Sequence, residues 1–116
     1  MVVKYWREDP CTVVRVVGDL DVAGAPRLRA ELDHVLARSD SANVVIDLTE
    51  VPFCDSVGLG VLVGAFNHVH HSRGRMILVL VDGMISHLFT ITNLDRHFET
   101  ASSIEEACSA MSAAAA

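Results

Sequence analysis

Met76-Ile77-Leu78-Val79-Leu80-Val81 is apolar at every position, and no other stretch constrains the fold as much. A strand with one wet face alternates apolar and polar residues, whereas a strand without polar positions must be covered on both faces. The run is far too short to cross a membrane, which takes about 20 apolar residues. The surrounding sequence supplies the covers. Leu28, Leu32, Val35 and Leu36 recur at helical spacing and predict an amphipathic helix over residues 24–38. Further helices are predicted over residues 55–72, closed by Gly74, over 84–92 with Ile85, Leu88 and Phe89 on one side, and over 103–111.

Strands are expected over residues 2–6 and 12–17, an antiparallel pair joined by the turn-prone Asp9-Pro10, and over 43–48 after a polar loop at 39–42. A brief last strand holds Phe98. Asn93 stands where a left-handed helix end is needed, with Leu94 packing back. Ser103 and Glu106 form a capping box, and residues 113–116 read as a frayed tail. Strand–helix–strand units with short loops imply right-handed crossovers. The predicted class is α/β: one domain over residues 1–112, a mixed sheet of about five strands with about four helices.

With 116 residues the chain makes one core, and 51% hydrophobic with 5% aromatic residues makes that core aliphatic. A formal charge of −6 argues against a nucleic-acid partner, which needs a basic footprint. The start of the sequence has no apolar signal-peptide core, so a cytoplasmic protein is the expectation. Cys11, Cys54 and Cys108 are odd in number and widely spaced, which reads as reduced, mostly buried thiols. Cys54, next to the site described below, would report oxidation there only if exposed.

Function is most legible around Ser56. The β-branched run Val44-Val45-Ile46 feeds a short loop, Asp55 is a good N-cap, and Ser56 opens the following helix. Its hydroxyl then lies beside unpaired backbone amides at the positive end of the helix dipole, where a phosphate is tolerated. The helix has two readable faces. Leu59, Leu62, Val63, Phe66 and Val69 form a core stripe. Opposite them lie Val57, Gly60, Val61, Gly64, His68 and His71, where a solvated face would carry Lys, Glu or Gln. The two glycines each cost about 1 kcal/mol relative to alanine. They either admit a neighbouring helix closely or keep a docking surface flat, and a weakly apolar strip running from Ser56 favours docking.

These residues resemble the STAS superfamily and, within it, the bacterial anti-sigma factor antagonists. Gly18-Asp19-Leu20-Asp21 with Ala25-Pro26-Arg27-Leu28 resembles the family's segment from strand to first helix. Asp47-Leu48-Thr49, Phe53 and Asp55-Ser56-Val57-Gly58-Leu59-Gly60-Val61-Leu62 resemble its phosphoacceptor signature, and Leu88-Phe89 with Thr92-Asn93-Leu94 its third-helix ending. The resemblance implies that Ser56 is phosphorylated by an anti-sigma factor that is also a serine kinase. It implies that the unphosphorylated chain binds that factor and releases a sigma factor, that a phosphatase restores binding, and that Asp21 lies near the serine. The implied partner surface is Asp21, Asp55, Ser56, Val57, Gly58, Gly60, Val61, Gly64 and His68. Val57 stands where a second Ser or Thr is common, which leaves Ser56 as the acceptor. Gly24 replaces a frequent capping Thr, at a cost of only a few tenths of a kcal/mol. Asn93 replaces a frequent Gly.

Other classes fit less well. Cys54 occupies the position where a nucleophile elbow needs glycine, and no histidine can be tied to Ser56 as a base. His68 and His71 are one turn apart but lack a third ligand at suitable spacing. No Gly-rich phosphate loop is present, so neither an enzyme nor a metal or cofactor site is predicted. The alternative within the same fold is a STAS subunit that docks to a transporter or another signalling complex. Only the partner separates the two.

Overall fold

The computed structural model describes residues 1–38 and 43–115. Strands β1 (Val2–Glu8), β2 (Cys11–Val17), β3 (Asn43–Glu50), β4 (Arg75–Val79) and β5 (Glu99–Ala101) form one sheet in sequence order. β1 and β2 are an antiparallel hairpin with Val2 opposite Val17 and Glu8 opposite Cys11. The remaining neighbours are parallel, which requires a crossover between each pair. The crossovers are α1 (Ala25–Arg38), α2 (Ser56–His71) and α3 (Met84–Ile91), and α4 (Ile104–Ala115) follows the last strand.

Pleating divides the strand residues between two cores. Val14, Val16, Val44, Ile46, Met76 and Leu78 face α1, α2 and α3. Val13, Val45, Ile77 and Val79 face the opposite way, where α4 covers them with Ala107 and Met111. Burial of β4 on both faces explains the apolar run from Met76 to Val79, but the strand ends there, and Val81, expected within it, is exposed. On the α4 side the sheet also holds Asp47, 3% exposed, whose Oδ2 accepts from Arg15 Nε at 3.0 Å. Its Oδ1 accepts the Thr49 amide, so the buried carboxylate is fully engaged.

The predicted elements are all present, with local corrections. Residues 39–42, expected as a polar loop, lie outside the described residues. Phe98 is buried just before β5 rather than within it, stacking on Phe89 beneath α3. α4 continues to Ala115, because alanine is the best helix former and the alanine-rich end has no breaker. Of the capping box, the Ser103 half forms, its Oγ accepting from Glu106 N at 3.0 Å. The Glu106 carboxylate instead accepts the Ser102 hydroxyl. Asn93 takes the left-handed conformation as expected, φ 60°.

The end of α2 differs from its expectation instructively. Gly74 does not supply the left-handed residue; Arg73 does, at φ 59°. Arg73 N–H bonds to His70 O at 3.0 Å and Gly74 N–H to Val69 O at 2.8 Å, the paired bonds of a Schellman ending. An exposed arginine therefore bears a backbone conformation that favours glycine. Arg73→Gly should stabilise the fold by about 0.5–1 kcal/mol and raise the melting midpoint by a few degrees in a thermal scan.

Candidate phosphoacceptor site and partner surface

Ser56 is placed by a junction between two chain segments. Beyond β2 and β3 the backbone pairing continues irregularly. Gly18 N–H bonds to Glu50 O at 3.1 Å, Leu20 N–H to Phe53 O at 2.8 Å, and Asp55 N–H returns to Leu20 O at 3.2 Å. The Asp55 side chain then splits its oxygens. Oδ1 accepts from Gly58 N at 3.0 Å and caps α2; Oδ2 accepts from Val22 N at 3.0 Å and holds the loop before α1. Asp21 organises that loop, its Oδ1 accepting from Ala23 N at 3.1 Å and Gly24 N at 2.8 Å. Asp21 and Asp55 therefore stand on one junction, and each carboxylate is engaged by backbone amides.

Ser56 is the first residue of α2, exposed, with its hydroxyl free of hydrogen bonds among the described residues. Helix geometry leaves its own amide and that of Val57 without intrahelical acceptors, since the Gly58 amide is taken by Asp55. The site offers a free hydroxyl, spare donors and the positive end of the helix dipole. An anion on Ser56 is locally acceptable, worth roughly 0.3–1 kcal/mol where exposed.

Of the nine residues expected at the partner surface, the structure removes one. Gly58 is buried: an added Cβ would lie 2.2 Å from Leu20 O and 2.7 Å from Leu20 Cγ. Its glycine is a structural requirement, because the Leu20 carbonyl passes directly over the helix. Gly24 is likewise no mere weak cap, since a Cβ there would meet Asp19 O at 2.5 Å. Val57, Gly60, Gly64 and His68 are exposed, and Val61 is half-buried against the core. At Gly60 and Gly64 an added Cβ would meet nothing within 4 Å among the described residues. No described element packs closely on these two glycines.

The core stripe of α2 is rotated from its expected centre. Gly58, Leu62, Ala65 and Val69 are buried, while Leu59, Val63 and Phe66 flank them. Small residues let the helix approach the sheet, and the large ones splay to the sides. Phe66 turns toward His97 and Phe98, with ring centroids at 4.5 and 5.5 Å. On the other flank α1 and α2 border an open groove of about 220 Å³ lined by Arg29, Asp33, Leu36, Val61, Gly64 and His68.

Two surface residues were missed by the sequence reading as contacts. Val22 is 66% and Phe53 41% exposed, in the two loops that meet at Asp55, and Val57, next to Ser56, is 46% exposed. The available signal was a large hydrophobic residue beside the turn-forming Asp21 and Gly24 in one loop and beside Pro52 in the other. Cys54 is buried and donates to Asp55 O at 3.5 Å. Burial, and secondarily the Asp55 charge, pushes its thiol up to about 11, and its sulfur is enclosed where an oxidant does not reach it. His71 Nδ1 lies 2.7 Å from Asn67 O, and among the described residues no cluster could hold a metal.

The STAS domain family model matches residues 4–107. The chain belongs to the STAS family, among its anti-sigma factor antagonists. It is similar to the anti-sigma-B factor antagonist of Listeria monocytogenes, 37% identical over 79 residues that make up 68% of each chain. The anti-sigma-B factor antagonist of Bacillus subtilis is 38% identical over 81 residues, covering 70% of this chain and 72% of the relative. An anti-sigma factor antagonist from Mycobacterium paratuberculosis superposes with a TM-score of 0.85 at 28% identity, covering 94% of this chain and 92% of the other.

The glycines of this STAS domain give a sharp internal contrast. Gly58→Ala should destabilise by about 2–3 kcal/mol through overpacking against the Leu20 carbonyl. Gly64→Ala, in open space on the same helix, should stabilise by up to about 1 kcal/mol. Urea titration of the two variants checks both signs.

Proposed function

We propose that this chain is an anti-sigma factor antagonist whose docking surface is centred on Ser56, and that phosphorylation of Ser56 by the anti-sigma factor, acting as a serine kinase, switches docking off. The unphosphorylated chain holds the anti-sigma factor and leaves a sigma factor free; a serine phosphatase resets the switch in the cytoplasm. The observation that carries this reading is the pair Gly60 and Gly64. Each costs helix stability, neither accommodates a neighbour among the described residues, and both lie on the exposed strip that starts at Ser56. A helix face kept flat and weakly apolar at such a cost fits a protein partner.

The switch is then an electrostatic matter at the interface rather than a refolding. Phosphorylation adds about −1.5 to −2 charge at neutral pH. In the free protein the helix dipole and spare amides receive it, and the bonds of Asp55 and Asp21 hold the surrounding loops in place. In the complex the same charge must lose water beside Val22, Phe53 and Val57, with Asp55 adjacent. Burying a charge without a counter-ion costs several kcal/mol, and about 1.4 kcal/mol is already tenfold in affinity. The interfacial penalty exceeds the local gain.

Ser56→Ala should abolish phosphate incorporation by the cognate kinase with ATP while leaving the fold intact; stoichiometric phosphate on Thr49 or Ser72 would contradict the assignment. Ser56→Asp should weaken partner binding by tenfold or more in calorimetry, with amide shifts confined to about residues 54–60. Gly64→Arg is the clean probe of the strip, because its side chain enters solvent, whereas Val61→Arg would also disturb the core. Gly64→Arg should lose binding with little change in melting temperature. Unimpaired binding by phosphorylated protein would end this account of the switch.

A further inference from the structure

Cys11 and Cys108 stand 97 positions apart in the sequence, yet their sulfurs lie 3.1 Å apart. Cys11 begins β2 directly after the hairpin turn, is fully buried, and donates to Glu8 O at 3.2 Å. Cys108 sits in the middle of α4, partly exposed, with Glu8 Oε2 3.7 Å from its sulfur. It forms part of the wall of an open groove with Trp6, Glu8, Arg15, Glu105 and Ser109. One thiol is therefore reachable from solvent, and the other is reachable through it. This is the arrangement of an attacking and a resolving thiol.

We propose that Cys11 and Cys108 are a modification site: a dithiol that hydrogen peroxide converts to an intramolecular disulfide, fastening α4 to the β1–β2 hairpin. The Cys108 thiolate attacks one peroxide oxygen. An S–O bond forms, the O–O bond breaks, and hydroxide leaves to take up a proton as water. Cys11 sulfur then attacks the Cys108 sulfenic acid; the S–S bond forms, the S–O bond breaks, and the second water carries off the Cys11 proton. Two thiols lose two electrons and one peroxide becomes two waters. The sulfurs must approach by about 1 Å to reach bonding distance.

The fold gives this bond a consequence. Three helices cover one face of the sheet, but α4 alone covers the other, and its buried residues there are Ala107 and Met111. A single helix covers less apolar area than three, so the α4 cover is the smaller of the two. Its departure would expose Val13, Val45, Ile77 and Val79. A covalent tie across this long loop restricts the unfolded chain and keeps the cover on. It lies on the opposite face of the sheet from α2, so the proposed docking surface is left as it was.

The surroundings also set the rate. Burial first, then the neighbouring Cys11 and the Glu8 carboxylate, push the Cys108 thiol up to about 12. Arg15 across the groove is committed to Asp47, and Glu105 on α4 adds further negative charge. Peroxide reacts with the thiolate, so oxidation should be slow at neutral pH and accelerate about tenfold per pH unit through the mildly alkaline range.

The test uses the full chain treated for hours with excess hydrogen peroxide at about pH 9.5, where the thiolate fraction is about a hundredfold above that at pH 7.5. The intact mass should fall by two hydrogens, and peptide mapping should find Cys11 joined to Cys108 with Cys54 still alkylatable. The melting midpoint should rise by roughly 10 °C and fall back on reduction. Cys108→Ser, whose hydroxyl stays near solvent, should fold, form no cross-link and show no such rise. Over-oxidation of Cys108 without ring closure, chains linked to one another, or a cross-link through Cys54 would overturn the proposal, as would a Cys11–Cys108 bond that leaves the midpoint unchanged.

Discussion

The Leu20 carbonyl accepts the Asp55 amide at 3.2 Å and rests on the bare face of Gly58, and much of this domain depends on that contact. It locks the segment after β2 to the segment after β3, beyond the point where the parallel ladder ends. From there Asp55 reaches both ways, to Gly58 in α2 and to Val22 before α1. Two helix starts are thereby fixed to one another through a single carboxylate. Ser56 is one residue from that carboxylate, so its position follows from the sheet rather than from a mobile loop.

A consequence is that structural and functional demands fall on adjacent residues of one helix without mixing. Gly58 serves the backbone that passes over it, whereas Gly60 and Gly64 admit no close neighbour among the described residues. Identical residue types two and six positions apart thus have opposite energetic signs on substitution. The same separation holds across the sheet. The proposed switch surface belongs to the face with three helices, and the close thiol pair to the face with one. A change in the cover on one side need not be felt on the other, because β3 and β4 between them are closely packed on both faces and behave as a rigid partition.

The sequence carried most of the fold because its elements are locally consistent. β4 announces itself by lacking polar residues, α1 by its spacing, and α2 by the Asp55 cap. Ser56 was legible for the same reason, as a residue just inside a cap with nothing in either pattern to cover it. The errors lie where neighbours distant in sequence decide. Gly58 read as surface because periodicity counts residues around a helix axis and cannot know that a carbonyl from the Leu20 segment passes overhead. Gly74 read as the end of α2 because glycine is the usual left-handed residue, yet Arg73 holds that conformation within the Schellman bonds. Val22 and Phe53 went unassigned because exposure of loop hydrophobics depends on how the loops are pinned.

By itself, then, the sequence determined the elements, their order, the aliphatic double-faced core and the serine at a helix start, since each rests on propensity and periodicity over a few neighbouring residues. Tertiary structure decided which glycines are sterically required, which loop hydrophobics stay exposed, and that Cys11 meets Cys108 across 97 positions. Those outcomes depend on the approach of segments far apart in the chain, and no local pattern encodes such a distance.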